Sequence, residues 1–306
     1  MQHRIEYVAF QLIKWAVLAM PLKSAQRLGG YLGRAAYGLV SSRRRIAMEN
    51  LRHAFPEKSE DERRAIVKGA FRNYGITLVE LLWFPNLTDG ILRKLITVRN
   101  PELLARGRDA GRGMVWLSGH FGNWELIALG VARLTGIPVS IIVQTQANKL
   151  IDRVINGHRC LFGNIVIPMG MPVRGIIKTL SEGGVIAIAP DQSGPMEGPF
   201  VDFFGRRVAT HQGPAVFALR MGAPMLIGFM IRKADGTYEA TLEEVPTSDL
   251  TVPTEENIVE LTRRHTAILE RAIRLNPDHW LWMHRRWKHT WESVHGGHGP
   301  VGDARA

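Results

Sequence analysis

The stretch Trp116–Glu125, WLSGHFGNWE, places His120 just past an apolar run, between Gly119 and Phe121-Gly122, with Glu125 five positions on. An imidazole with one ring nitrogen hydrogen-bonded to a carboxylate keeps the other free as a general base, suited to a weak nucleophile such as a hydroxyl. Five residues along one continuous helix turn by about 140°, which would point the two side chains apart. The pair therefore meets only if His120 stays in a glycine-containing loop and Glu125 lies in the helix that follows. The same residues also fit a strand-end histidine followed by a glutamate that favours a helix N-terminus.

Three further polar clusters carry possible chemistry. Asp191-Gln192-Ser193 follows the apolar run VIAIAP, where Asp191 either positions a histidine or a loop, or caps a turn with Ser193. Arg159, near the end of NKLIDRVINGHR, is either an anion contact or a solvent-facing helix residue. The ending HWLWMHRRWKHT mixes Trp280, Trp282 and Trp287 with basic residues. It reads as an anion-rich interface, an aromatic–basic membrane rim or a helix-end salt-bridge network. Neither H-E-x-x-H, nor a Walker-type phosphate loop, nor a dinucleotide fingerprint is present.

The elements that must position these groups follow from periodicity. Residues 1 to about 95 read as helices, with Ser59 and Glu62 set as a capping pair and Pro56 as a separator. Beyond about residue 112, the runs GMVWLSG, PVSIIVQ, NIVIPMG and VIAIAPDQ read as strands, with helices near 122–134, 148–162 and 172–182 between them. This alternation predicts an α/β fold with a mainly parallel central sheet flanked by helices. APMLIGFMIRK and YEATLEEV around Ala234-Asp235-Gly236 add a hairpin at the sheet edge, and a last amphipathic helix covers about 255–275. In such sheets sites form outside the carboxyl ends of strands, where His120, the 148–162 segment and Asp191 all fall.

Composition narrows the partners. The 306 residues carry 39 Lys and Arg against 28 Asp and Glu, a formal charge of +11 that favours an anionic partner: nucleic acid, anionic lipid or an acidic protein. Cys160 is the only cysteine, so an intramolecular disulfide and a cysteine-based zinc cluster are excluded. The apolar stretch from Tyr7 to Leu22 is interrupted by Gln11 and Lys14, short for a membrane span and without a signal-peptide cleavage pattern. It reads as an interfacial helix with Tyr7, Phe10 and Trp15 at headgroup depth and Arg4, Lys14, Lys23 and Arg27 facing anionic lipid, or else as an amphipathic helix packed on its own domain.

Taken in order, RRRIAMENLRHAFPEKSEDERRAI, FRNYGITLVELL, SGHFGNWE, LSEGGVIAIAPDQ, VDFFGRRVATHQGPAVFALRMGAP and HWLWMHRRWK resemble the late acyltransferases of lipid A biosynthesis, a group that includes mycobacterial glycolipid acyltransferases. The resemblance runs from about residue 5 to 290. It implies a membrane-associated enzyme that moves a fatty acyl chain from acyl carrier protein or acyl-CoA to a hydroxyl of a lipid A precursor. The donor is a co-substrate; neither a cofactor nor a metal nor a nucleic-acid partner is implied.

The family's H-x4-D/E dyad falls on His120 and Glu125, with Glu125 holding the imidazole of the general base. Arg159, Asp191, Asn123, Thr210 and Gly213 are the expected substrate-binding positions, and backbone N–H groups from Gly119 to Asn123, or Arg159, are candidate oxyanion donors. The basic residues Arg43 to Arg45, Arg206, Arg207, Arg285, Arg286 and Lys288 are candidate contacts for an acidic carrier protein or lipid phosphates. The implied organisation is a helical membrane-associating region over 1–95, an integrated α/β catalytic region over 96–290 and a flexible tail over 291–306. The implied place is the cytoplasmic face of the inner membrane, peripheral or held by a single N-terminal anchor. Rival readings are another glycolipid or phospholipid acceptor, a hydrolase releasing the acyl chain to water, and a non-catalytic membrane-surface binder.

Overall fold

The computed structural model describes residues 2–109, 111–170 and 173–296. Nine strands are described: β1 (Ile96–Arg99), β2 (Met114–Leu117), β3 (Val139–Val143), β4 (Ile165–Pro168), β5 (Val185–Ile188), β6 (Phe200–Phe203), β7 (Arg206–Ala209), β8 (Met225–Arg232) and β9 (Tyr238–Val245). Seven of them form one sheet in the order β1-β9-β8-β2-β5-β3-β4. All its pairings are parallel except β8 with β9.

The uninterrupted apolar runs are explained by burial on both faces of this sheet. Val115 and Leu117 of β2 pack into one core with Ile186, while Met114 and Trp116 pack into the other with Val185 and Ala187. A strand buried on both sides has no use for polar alternation.

The expected hairpin forms through the turn at Asp235-Gly236, but β1 pairs outside β9, so the hairpin stands one strand in from the edge. β1 is four residues long and directly follows a helix, Asp89–Leu95, which leaves too little alternation to mark it in sequence. A second, separate hairpin, β6–β7, turns at Phe204 and Gly205, both with positive φ as a two-residue hairpin turn requires. The helix Glu255–Leu275 matches the expected span and is capped by Thr254.

The N-terminal region is four helices: α1 (Gln2–Leu18), α2 (Leu22–Leu39), α3 (Ser41–Ala54) and α4 (Glu60–Trp83). Ser59 and Glu62 form the reciprocal capping box at the start of α4. Helices α2 and α4 approach at backbone distance because glycines meet: a Cβ on Gly33 would stand 2.2 Å from the Phe71 carbonyl oxygen, and one on Gly75 would stand 2.4 Å from that of Gly29. No helix among the described residues is long and apolar enough to cross a membrane. In α1 only Val17 is buried, while Ile5, Val8, Leu12 and Trp15 are exposed.

The aromatic ending departs from both the interface and the salt-bridge readings. Trp280 and Trp282 are buried, and the rings of Phe203, Trp280, Trp282 and Trp287 interlock with centroids 4.7 to 6.4 Å apart. Arg286 is 1% exposed and donates to the Ala209 carbonyl and the Thr210 hydroxyl, so it is unavailable to an external anion. Residues 291–295 form a short capped helix where the flexible tail was expected to begin, and 297–306 lie outside the described residues.

The glycine contact yields a test. Gly33→Ala should destabilise the protein by about 1–3 kcal/mol, because the helix pair must part to admit the methyl group. An unchanged thermal or urea transition would show that the contact is loose.

Candidate active site

β2 and β5 run side by side with Leu117 opposite Ile188, so the third residue beyond each strand, His120 and Asp191, emerges at the same place. The loop after β2 is held down by Gly122, whose φ of +59° and lack of a side chain let it lie against β8; a Cβ there would be 1.7 Å from the Met230 carbonyl oxygen. Asn123 accepts from the Leu126 N–H and starts the next helix at Trp124, leaving His120 in the loop as the helix arithmetic required.

The carboxylate that meets His120 is Asp191 and not Glu125. Asp191 Oδ1 lies 2.7 Å from His120 Nδ1, while Oδ2 accepts from the His120 backbone N–H at 2.7 Å and from Trp280 Nε1 at 2.8 Å. Burial by itself would raise the Asp191 pKa; the charge and hydrogen bonds of His120, with the Trp280 bond, outweigh it and hold the carboxyl below its ordinary value. Burial likewise depresses His120, and Asp191 outweighs it, so the imidazole pKa is raised. An ionised carboxylate only accepts, which puts the neutral ring's proton on Nδ1 and its lone pair on Nε2.

Glu125 is bound to Arg159 by a two-pronged ion pair, Nε to Oε2 at 2.8 Å and Nη2 to Oε1 at 2.5 Å, and Arg159 Nη1 also donates to Asn156 Oδ1 at 3.0 Å. Three of the five guanidinium N–H bonds are thereby used, leaving two. The side chains are 13% and 11% exposed, both at a cleft of about 730 Å³ that His120 also lines. Trp124, Ile141, Val143, Met169 and Phe217 supply apolar wall to this cleft.

The sequence matches the family described as "Bacterial lipid A biosynthesis acyltransferase" over residues 2–289. It is 30% identical over 282 residues to the lipid A biosynthesis palmitoleoyltransferase of Escherichia coli (strain K12), covering 90% of this chain and 89% of that protein. The chain belongs to this acyltransferase family. It is also 29% identical to the lipid A biosynthesis lauroyltransferase of the same organism, over 92% of this chain and 91% of that one. A phosphatidylinositol mannoside acyltransferase of Mycolicibacterium smegmatis is 24% identical over 76% of this chain and 77% of its own.

In this acyltransferase the remaining predicted positions divide. Gly213 lines the cleft at the start of the helix Gly213–Met221. Asn123 is fully buried, donating to Glu80 at 2.7 Å, and Thr210 is 2% exposed and bound to Arg286; neither lines the cleft. Asp191 stands behind His120, outside the cleft lining. Phe121 and Leu126, on either side of the loop end, are core.

Four of the five expected backbone oxyanion donors are engaged elsewhere. His120 N–H donates to Asp191, Phe121 N–H to the Gly119 carbonyl, Gly122 N–H to that of His279, and Asn123 N–H to that of Met230. Sequence reasoning missed Gln192 as a neighbour of the base, its Nε2 lying 3.4 Å from His120 Nε2. It missed Trp280 as a donor to Asp191 as well. Both stood inside motifs already marked, but only the fold brings them to His120.

Removing Asp191 takes away the largest raising influence on His120 and leaves burial and Arg159 lowering its pKa against the Glu125 charge alone. In Asp191→Asn the His120 pKa should fall below its ordinary value near 6.5. The acid limb of the pH profile of kcat/KM for acyl transfer, which rises as His120 loses its proton, should then move to lower pH. The plateau should fall by about 10³–10⁴-fold through loss of the correct tautomer. A limb that stays in place would separate Asp191 from the titration of the base.

Proposed function

We propose that the protein transfers a fatty acyl chain from a thioester on acyl carrier protein, or from acyl-CoA, to a hydroxyl of a lipid A precursor at the cytoplasmic face of the inner membrane. The observation that carries this reading is the Asp191–His120 pair, with the Nε2 side of the imidazole at a cleft whose walls are largely apolar. Such walls suit a fatty acyl chain.

In the proposed step, His120 Nε2 takes the proton of the acceptor hydroxyl as its oxygen attacks the thioester carbonyl. The tetrahedral intermediate collapses with cleavage of the carbon–sulfur bond, and the leaving thiolate receives the proton from the imidazolium. Asp191 keeps the ring oriented and balances the charge it gains. The Gln192 amide and the two remaining N–H bonds of Arg159 are the donors available to the oxyanion. Glu125 acts through Arg159, holding the guanidinium at the cleft instead of binding the imidazole. Cys160 is exposed and is given no role in carrying the acyl group.

The membrane part of the reading is supported by the exposed apolar side chains of α1, with Lys14 lying over the Trp15 ring at 4.9 Å. Acidic carrier protein remains the proposed donor partner on account of the +11 formal charge. The similarity to a phosphatidylinositol mannoside acyltransferase favours a different glycolipid acceptor as the second reading.

Mass spectrometry of lipids after incubating the purified protein with mixed acyl donors and candidate acceptors tests both. An acylated lipid A precursor is expected; free fatty acid released at the rate of donor loss, with acceptor present, would contradict acyl transfer. His120→Ala should lower transfer by about 10²–10⁴-fold with an unchanged unfolding transition. Near-wild-type turnover would remove His120 from the mechanism.

A further inference from the structure

A second cleft, of about 400 Å³, opens between α2, α4 and the β8–β9 turn, and shares no lining residue with the catalytic cleft. Lys23, Arg27 and Arg34 of α2, Arg72 of α4 and Lys233 of the turn line it. Asp235 is the one carboxylate in the lining, and it already accepts from the backbone and hydroxyl of Thr237.

Several arginines elsewhere in the molecule are paired with carboxylates, as in Arg52–Glu60, Arg133–Asp89, Arg264–Asp249 and Arg271–Glu243. Among the described residues, Lys23, Arg27, Arg34 and Arg72 make no such pair. Lys233 is bonded to Glu239 at 3.3 Å. Arg72 feels the consequence: partial burial, and the nearby charges of Arg232 and Arg34, lower its pKa. Like charges gathered in a concavity cost free energy when the site is empty and are relieved by an anion.

The rim identifies the kind of anion. Tyr31 lines the cleft and is 64% exposed, with Leu32 at 50% beside it on α2, and Leu39 and Val40 exposed at that helix's end. A basic hollow with the exposed Tyr31 ring in its lining, on a helix that also exposes Leu32 and Leu39, fits an interfacial ligand with a phosphate head and an apolar body better than it fits an acidic protein surface. We propose that this cleft binds the phosphate of a membrane-lipid headgroup, separately from the site of acyl transfer. The proposal rests on the membrane-surface reading above and makes one specific site responsible for part of it.

The test is binding of the full chain to phosphatidylcholine vesicles with and without phosphatidylglycerol. Arg34→Gln/Arg72→Gln is compared with Arg112→Gln/Arg220→Gln, an equal loss of charge near the amino ends of β2 and β8, away from the cleft. The wild type should prefer the anionic vesicles and be displaced by inorganic phosphate at matched ionic strength. The Arg34/Arg72 variant should bind about 30-fold more weakly, the contribution of two cations at a lipid surface, and the control should change far less. All four positions are exposed, so a common thermal transition verifies folding.

Equal weakening in both variants would overturn the proposal in favour of diffuse charge. So would inorganic phosphate binding with no effect of the Arg34/Arg72 change on vesicles, which marks a site for soluble phosphate. Loss of acyl carrier protein binding with vesicle binding intact would overturn it in favour of a protein dock. Failure of the wild type to bind any vesicle would fail the membrane reading itself.

Discussion

The buried carboxylate of Asp191 is the constraint around which the site is arranged. An ion removed from water costs several kcal/mol unless charged and polar donors replace the solvent. Three donors do so here: the His120 ring, the His120 backbone and the Trp280 indole. They come from the loop after β2 and from the segment beyond the helix Glu255–Leu275, so satisfying one carboxylate draws distant parts of the chain together. The same bonds that keep Asp191 ionised set the tautomer of His120 and leave Nε2 for chemistry. Stability of the buried charge and the free Nε2 lone pair of His120 have one physical origin.

A second buried carboxylate, Glu80, ties the helical region to the loop that carries His120. Glu80 lies on α4 and accepts from Arg232 of β8 at 3.0 Å, from Asn123 at 2.7 Å, from Gln26 of α2 at 2.8 Å and from the Tyr238 hydroxyl. Asn123 in turn caps the helix that carries Glu125. The helices with exposed apolar and basic surface are thus bonded, through one network, to the loop that presents His120. Arg159, paired with Glu125 from across the cleft, closes the site on its other side.

Much of this was legible in the sequence, for definite reasons. The doubly buried strands announced themselves because continuous runs such as MVWL and VIAI satisfy both faces of a parallel sheet, and Ser59 with Glu62 marked a helix start by local hydrogen bonding. His120, Glu125, Arg159 and Asp191 were all visible as chemistry-bearing residues at strand ends. What stayed hidden was who meets whom. His120 and Asp191 are 71 residues apart, and Glu125 and Arg159 are 34 apart, so their partners are fixed by strand register and loop descent, which local spacing does not encode. Glu125 is the nearest carboxylate to His120 in sequence, and strand register brings Asp191 to it instead. Trp280 and Arg286 misled in the opposite sense: aromatic and basic types suggest surface when read singly, yet ring packing and buried carbonyl acceptors hold both inside.

The central claim is that Asp191 fixes His120 with its proton on Nδ1 and raises the pKa of the ring. Nitrogen-detected NMR titration of ¹⁵N-histidine-labelled protein, with the His120 resonances assigned from a His120 variant, reads both properties directly. A neutral Nδ1–H tautomer whose Nε2 protonates with a pKa above 6.5 is expected. An Nε2–H tautomer, or a pKa below that value with Asp191 intact, would contradict it.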